Sequence, residues 1–204
     1  MKKFLFVSLI VFALAALMPQ PAAAGFGLKG GLALSKLHFA GETEVPSLTD
    51  LKAPVGGIFW SFNLGLFTIQ PEAMYVRMGA RMEEGADWME DRIDYIQIPV
   101  LVKLNILPGP ISPNVYGGGY YSFLLSAKGV ASIGGVESST DIKDQLESKD
   151  YGALVGAGVD FKLAAIKITV EGRYNIGMAN IAKDAEPGFS VKNESWMFLV
   201  GLSF

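Results

Sequence analysis

The sequence predicts an all-β protein, an eight-stranded antiparallel up-and-down transmembrane β-barrel. Three observations lead to this fold class. Eight segments of roughly ten residues alternate between polar and apolar side chains, and that length lets a tilted strand cross a bilayer. The connections between the segments are alternately short and long. The polar faces carry both charge signs, which is typical of a barrel with a polar interior and a lipid-facing exterior.

The clearest strand is residues 166–175, with the sequence IKITVEGRYN. Every second residue is polar, and the residues between them are apolar or glycine. Because successive side chains of a strand point to opposite faces, this alternation separates a polar face from an apolar face. The polar positions are Lys167, Thr169, Glu171, Arg173 and Asn175.

The first 24 residues are predicted to be a signal peptide. Lys2 and Lys3 precede an apolar run over residues 4–18 that is interrupted only by Ser8, and small residues end at Ala24. The run is shorter than the ~20 residues of a spanning helix, so a retained anchor fits less well. Cleavage after Ala24 would leave residues 25–204 as the barrel domain.

Composition narrows the function classes further. Loss of Lys2 and Lys3 would leave 15 basic side chains of the original 17 against 20 acidic ones, a net charge of −5. A nucleic-acid partner is therefore not expected. The chain contains no cysteine, so it has neither disulfides nor thiolate metal sites.

In chain order, the first predicted strand has leucines on one face and Lys29 on the other. Phe59 is an apolar exception on the polar face of the second strand. The third strand alternates clearly only up to Glu72. In the fourth, Pro99 removes a ladder donor and predicts a bulge or local bend, and in the fifth, Ser126 is placed on the inner face. The eight predicted strands are residues 27–37, 55–64, 67–78, 95–105, 115–128, 151–163, 166–175 and 195–204.

The connections fall into two classes that alternate along the chain. In an up-and-down barrel, this places all the short turns at one end with both termini and all the long loops at the other. Short periplasmic turns and long extracellular loops are the pattern of outer-membrane barrels. The short connections are residues 64–66, 106–114 and 164–165, and the long ones are residues 39–53, 82–94, 129–150 and 176–194.

Several aromatic residues are predicted to face outward near the strand ends. Amphipathic rings at such positions commonly lie at headgroup depth and form a girdle, although aromatic residues are also ordinary strand formers. The girdle is the favoured interpretation because the neighbouring positions alternate. The residues are Trp60, Tyr75, Tyr95, Tyr121, Tyr151, Tyr174 and Trp196.

Several stretches resemble the small outer-membrane β-barrel family that includes PorT-type, porin-like proteins. They are FTIQPEAMYVRMGA from Phe67, DYIQIPVLVKLNI from Asp94, DYGALVGAGVDFKL from Asp150 and ITVEGRYNIGMANI from Ile168. The resemblance covers residues 25–204, and the final FLVGLSF resembles the aromatic last strand by which such barrels are recognised for insertion, with Phe204 as the signal.

The resemblance implies an integral protein of the Gram-negative outer membrane. Its implied partners are outer-membrane lipid and the barrel-assembly machinery, together with a surface or secretion partner at the long loops. The family has no shared catalytic motif, so a non-enzymatic structural, interaction or secretion-accessory role is expected. The first alternative is a narrow porin for small solutes or ions, and a less favoured one is a lipid-modifying enzyme. Fold analogy alone does not choose among these roles.

Charged residues on the polar faces are predicted to line the lumen. They would either neutralise one another and fill the interior, or form a selective pore. An eight-stranded barrel is only wide enough for side chains to fill it, which favours the filled interior. Glu72 is expected to pair with Lys103 or with Arg173, because an unpaired buried charge is costly. The predicted lumen residues are Lys29, Glu72, Lys103, Asp160, Lys162, Lys167, Glu171 and Arg173.

No catalytic, cofactor or metal site is predicted. The single histidine, His38, lies three residues after Ser35, so the two point to opposite faces of a strand and form no dyad. Ser61 or Ser126 on another strand could be a partner, but no nucleophile motif supports this. The acidic residues Asp141, Asp144, Glu147 and Asp150 lack the spacing and glycine of an EF-hand and are interpreted as a solvated loop.

A secreted lipocalin-like carrier is the rival of a different class. It would also be an eight-stranded barrel behind a signal peptide, but with an apolar cavity and a polar exterior. Alternation alone does not tell which face is inside. The regular turn lengths and the aromatic last strand favour the membrane protein.

Overall fold

Ten strands form one antiparallel sheet in the computed structural model, which describes residues 24–40, 49–85, 87–107, 109–163, 165–183 and 188–204. The predicted leader falls on residues 1–23, outside the described part of the chain, apart from Ala24, where the first strand begins. The strands are β1 Ala24–Ala40, β2 Thr49–Leu64, β3 Phe67–Met78, β4 Ala80–Glu84, β5 Asp87–Asn105, β6 Ile111–Ile133, β7 Val136–Asp141, β8 Lys149–Leu163, β9 Ile166–Gly177 and β10 Ser190–Ser203, with a short 3₁₀ turn at Lys143–Gln145.

The sheet closes on itself because β1 pairs with β2 on one side and with β10 on the other. Leu28 lies opposite Ile58 in one pairing and opposite Leu202 in the other. Around the ring, β3 follows β2, then β5, β6, β8 and β9 lead back to β10. Within the described residues this gives eight barrel strands, which confirms the predicted fold class.

The two additional strands lie at the end of the barrel where the long connections are. β4 continues the position of β3 after a break at Gly79, whose φ of 142° strongly favours glycine; a Cβ there would lie 1.8 Å from the carbonyl oxygen of Asp91. β7 pairs only with β6 and forms a hairpin beyond the ring. Neither strand was predicted: β7 and most of β4 fall in the predicted long loops.

Strand boundaries match the prediction best at the short-turn end. β3 spans residues 67–78, as predicted, whereas β5 begins at Asp87 instead of residue 95 and β6 continues to Ile133 instead of residue 128. The extra lengths project beyond the lipid-facing band. The outer face of a projecting strand meets water instead of lipid, so the alternation that reveals a membrane strand is lost there.

The outer surface is apolar over the middle of the barrel, which is the expected lipid-facing side. Its exposed side chains alternate with buried polar ones along the strands. Among them are Leu28, Leu32, Trp60, Val100, Val102, Val155, Val170, Phe198 and Val200. Among the described residues, no helix has the length and apolar character needed to cross a membrane.

Six of the seven predicted girdle residues lie on the outer face. Trp60, Tyr121, Tyr151 and Trp196 are exposed, and the rings of Tyr174 and Trp196 pack 4.9 Å apart. The prediction was wrong for Tyr95, which is 0% exposed. Tyr95 shares the inward face of β5 with Gln97, two residues away, and its ring fills the interior.

The fourth and fifth predicted strands contain one register error. The bulge does not lie at Pro99, which stays in register opposite Tyr120; the register shifts at Asp94 and Tyr95, which face Ser126 and Leu124. The extra residue reverses the facing of the residues beyond it. The Ser126 hydroxyl therefore donates to Asp94 Oδ2 (2.9 Å) on the outer face, and its predicted inward orientation was wrong.

Candidate functional site

The barrel interior has two chemically different layers. Nearer the short turns lies an ionic layer, defined here as Lys29, Glu72, Lys103, Glu171 and Arg173. Nearer the long loops lies an apolar layer, defined here by its buried members Ala33, Leu37, Val55, Met74, Val76, Met78, Ala80, Ile93, Tyr95, Leu124, Ala127, Ile181, Val191, Met197 and Leu199.

Strand alternation brings the ionic layer together from four strands. Lys29 comes from β1, Glu72 from β3 and Lys103 from β5, while Glu171 and Arg173 are successive inward residues of β9. Their neighbours along each strand point to lipid, so in this layer each strand places charge only in the interior. All five side chains are at most 3% exposed.

Glu72 is held by three donors besides Lys29. Arg173 binds it with both terminal nitrogens, Nη1 to Oε2 at 2.8 Å and Nη2 to Oε1 at 3.2 Å. Gln70 Nε2 donates to Oε1 at 2.7 Å, and Lys29 Nζ lies 2.7 Å from the same oxygen. Such a bidentate, charge-assisted arrangement is the strong geometry for a carboxylate.

Glu171 completes the layer. Lys29 Nζ donates to its Oε1 at 2.6 Å, Lys103 Nζ to its Oε2 at 3.1 Å, and Arg173 also contacts it. Lys29 thus bridges both carboxylates. Of the two pairings expected for Glu72, the structure contains the one with Arg173, whereas Lys103 contacts Glu171 instead. Three cations face two carboxylates, so the layer carries one net positive charge.

Two aromatic rings face the cations of this layer. Lys29 Nζ lies 4.7 Å from the ring centre of Phe59, and the Tyr116 ring is 5.1 Å from Lys103 Nζ and 5.8 Å from Arg173 Cζ. Cations gain energy over ring faces, more so when desolvated. Phe59, the apolar exception in its strand, therefore packs against the ionic layer. Gly27 makes room for its ring, since a Cβ there would lie 2.3 Å from it.

The predicted lumen residues are not one network. Asp160 and Lys167 form a separate pair at 3.4 Å, and Thr169 donates to the same carboxylate at 2.8 Å. This pair lines a cavity of about 530 Å³ at the short-turn end, together with Lys162, Ser203 and Phe204. Phe204 itself is exposed, with its backbone nitrogen bonded to Phe26.

The apolar layer continues the same strand face that carries Glu72. Met74, Val76 and Met78 are the next inward residues of β3 and are fully buried. Between the layers, Asn175 Nδ2 donates to Gln97 Oε1 at 3.2 Å. This layer was not predicted from the sequence. The alternation of Met74, Val76 and Met78 with Tyr75 and Arg77 could have revealed it, because the apolar residues of this stretch face inward.

A segment of the last long loop covers the apolar layer. Ile181 is buried in that layer, and its backbone nitrogen binds the carbonyl oxygen of Val191 at 2.9 Å. The nitrogen of Glu147 binds the carbonyl of Ile181 at 2.8 Å, and Leu146 bridges to Ala182. Two long loops therefore hold each other over the interior at that end.

The weaker candidates for chemistry are separated from one another. The His38 side chain is 59% exposed and lies 4.0 Å from Glu194, whereas Ser35 is buried and donates to the Gly79 carbonyl at 3.2 Å. Asp150 was predicted to lie in a solvated loop, and this was wrong. Its side chain is buried and accepts a hydrogen bond from Asn193 at 3.0 Å. Within the described ranges, no three His, Asp or Glu side chains are arranged to hold a metal ion.

Solved structures show the same kind of fold. The outer membrane protease OmpT from Escherichia coli aligns at a TM-score of 0.51 with 11% identity, over 92% of this chain and 98% of that one. Neisserial surface protein A aligns at 0.47 with 16% identity over 87% and 95%, and outer membrane protein W from E. coli at 0.47 with 14% identity over 91% and 100%. These likenesses concern the fold alone.

Sequence comparison identifies the family more directly. No curated protein sequence matches the chain. The family model of the outer membrane protein β-barrel domain matches residues 19–183, which is most of the chain and most of the ring of strands. The family indicates an outer-membrane location. The chain belongs to the outer membrane protein β-barrel domain family.

Proposed function

We propose that this protein is a non-conducting, non-enzymatic outer-membrane barrel that acts as a structural or interaction protein through its long-loop end. In this proposal the signal peptide is removed near Ala24, and the mature domain is inserted by the barrel-assembly machinery of a Gram-negative bacterium with Phe204 as the recognised residue. The long loops then face the outside and meet a surface or secretion partner. Closer kinship to PorT-type proteins is part of the same proposal.

The ionic layer is the observation that carries the proposal. Arg173 is fully buried and contacts both carboxylates, so five charged side chains occupy the cross-section of the barrel. A hydrated pore would need these charges to face water, whereas here each lies against a partner. Buried ions persist only when they are paired in this way.

The long-loop end supports an interaction role. β5 and β6 project beyond the lipid-facing band, and the β6–β7 hairpin exposes Ile133 and Val136 at its tip. Exposed apolar side chains rimmed by polar ones are typical of protein interaction surfaces. By contrast, His38 and Ser35 are apart, which argues against a hydrolytic centre at the only histidine.

Single-channel recording in planar bilayers tests the proposal. The purified full chain should give no conductance steps, because the ionic and apolar layers fill the interior. Correct insertion is verified in the same preparation by heat-modifiable mobility, since a closed barrel migrates differently before and after boiling. Reproducible steps whose ion selectivity changes in Glu72→Ala would replace the proposal with a narrow porin.

Cell fractionation tests the location independently. The chain should be recovered with the outer membrane because its middle surface is apolar around the ring. Release with the soluble proteins by osmotic shock would contradict membrane insertion. Purified barrel that hydrolyses or transfers acyl chains of phospholipids would contradict the non-enzymatic assignment.

A further inference from the structure

The cavity at the short-turn end contains an unbalanced pair of lysines. Lys162 on β8 and Lys167 on β9 are directly opposite each other in the strand ladder, and both line the cavity of about 530 Å³. Like charges at directly opposed positions destabilise a sheet. Asp160 offsets one of them, through its contact with Lys167 at 3.4 Å.

The Lys162 side chain is exposed and remains without a counter-charge. Among the described residues it has no hydrogen-bond or ion-pair partner, and the Asp160 carboxylate already accepts from Thr169 and contacts Lys167. The side chains that line the cavity thus carry two cations against one carboxylate. The ionic layer beyond them adds a further net positive charge, so the field in the cavity favours an anion.

A buried amide without a partner lies beside this cavity, although it is not one of the lining residues. Asn114 is 1% exposed, and neither its Nδ2 nor its Oδ1 has a hydrogen-bond partner among the described residues. It lies opposite the cavity residue Asn105 in the ladder and two residues further inward than Ser112, another cavity residue. A buried amide that lacks partners is costly, so a polar ligand or ordered water at this point would relieve a real penalty.

We propose that this cavity binds a small anionic solute that carries a phosphate or carboxylate group. The anionic group lies between Lys162 and Lys167, and the Asn114 amide supplies a hydrogen bond deeper inside. The cavity volume falls in the range of small-molecule sites, roughly 300–1,000 Å³. In the proposed orientation the site opens toward the periplasm, and it requires no passage through the barrel.

Calorimetric titration of the full chain folded in detergent micelles tests the site. Sodium phosphate and sodium citrate are the probes, and sodium chloride of equal ionic strength is the reference. At least one probe should bind saturably with one site per chain, and the stronger probe identifies the phosphate or the carboxylate class. Absence of saturable binding by both probes would overturn the proposal.

Variants separate a built site from general charge attraction. Lys162→Gln should weaken binding about tenfold, because one charge-assisted hydrogen bond is lost, and it leaves all the described ion pairs intact. Asn114→Leu should weaken binding without changing the net charge. The matched control Lys128→Gln removes the same charge from an exposed position on β6 near the long loops and should bind like the wild type.

Equal affinity in the wild type, Lys162→Gln and Lys128→Gln would show that any binding is unrelated to the cavity. Weakening by Lys128→Gln as large as by Lys162→Gln would indicate net charge alone, which also contradicts the site. The heat-modifiable shift of each variant shows that it is folded before titration. Binding and conductance are measured separately, so failure of this site leaves the closed-barrel proposal untouched.

Discussion

Glu72 and Met74 are consecutive inward residues of the same strand, yet they belong to opposite kinds of interior. Glu72 is fixed by Lys29, Gln70 and Arg173 at 2.7–3.2 Å. Met74 is buried among apolar side chains from six other strands and one loop. Stability in the first case depends on specific partners, and in the second on filled volume.

The difference shows that the interior of a small barrel need not have one polarity. In the ionic layer, each charge requires a particular side chain from another strand, so this layer favours one strand register over others. In the apolar layer, shape and burial supply the free energy and no single contact is decisive. The two layers therefore should respond differently to substitution.

The largest effect is expected from Glu72→Ala. Removal of this carboxylate leaves Lys29, Lys103 and Arg173 with Glu171 as their one remaining carboxylate in the layer. An uncompensated buried charge should lower the free energy of unfolding by about 3–5 kcal/mol. Urea denaturation in lipid vesicles measures it.

A second substitution sharpens this result. Lys29→Met in the Glu72→Ala background restores the original charge balance and keeps an apolar side chain over Phe59, so the double variant should be more stable than Glu72→Ala alone. The exposed Glu137→Ala on β7 is the matched control and should change stability by less than about 0.5 kcal/mol. If Glu72→Ala unfolds at the same urea concentration as this control, the ionic layer is not structural.

Met74→Ala tests the other layer on the same strand face. Truncation leaves a cavity, which should cost about 2–5 kcal/mol without any dependence on charge. Met89→Ala is the matched control, since Met89 is 56% exposed on the projecting part of β5. Equal unfolding midpoints for the two methionine variants would show that the apolar layer is not tightly packed.

Val170→Arg tests the outer face beside the ionic layer. Val170 precedes Glu171 in the sequence but is exposed on the opposite, lipid-facing side near the middle of β9. A cation there should cost about 2–4 kcal/mol, because lipid offers no partner. Lys143→Ala at the long-loop end should cost less than about 0.5 kcal/mol. If Val170→Arg and Lys143→Ala refold in vesicles with equal stability, the assignment of the inner and outer faces is wrong.

The smallest effect should come from Ser126→Ala at the bulge. The hydroxyl donates to Asp94 on the outer face, so its loss should cost about 1 kcal/mol. Ser138→Ala on the exposed β7 is the control and should have no measurable effect. If Ser126→Ala leaves the free energy of unfolding unchanged, the bulge does not place this hydroxyl against Asp94.

The sequence predicted the barrel wherever lipid enforces alternation. Residues 67–73 alternate with apolar side chains outside. Lys103 and Arg173 were the two partners expected for Glu72, because all three face inward and buried charges need neutralising, and the structure contains the pairing with Arg173. The contact of Lys29 with both carboxylates could not be predicted, because it depends on the tilt and curvature that bring β1, β3 and β9 together across the lumen.

The apolar layer was missed because the polarity of the faces reverses along β3. Beyond the lipid-facing band, toward the long loops, the outer face meets water. Arg77 and Asp94 are therefore outside, with Arg77 Nε 2.7 Å from Asp94 Oδ1. Met74, Val76 and Met78 are inside. A rule that places polar residues inward therefore fails at the long-loop end of β3. The inverted facing of Ser126 has a different cause, a single extra residue opposite Asp94 and Tyr95, which no periodicity reveals.

Accessibility of a thiol inside the barrel tests the closed interior most directly. The chain contains no cysteine, so Ser122→Cys places a unique, nearly isosteric thiol between the two layers, where Ser122 is buried and within 3.4 Å of Gln97. Ser138→Cys on the exposed β7 is the control. In the folded barrel, a charged, membrane-impermeant thiol reagent should modify the Ser138→Cys variant rapidly and leave the Ser122→Cys variant unmodified until the protein is boiled. Rapid modification of both variants in the folded state would show a water-filled path to the middle of the lumen and would contradict the closed barrel.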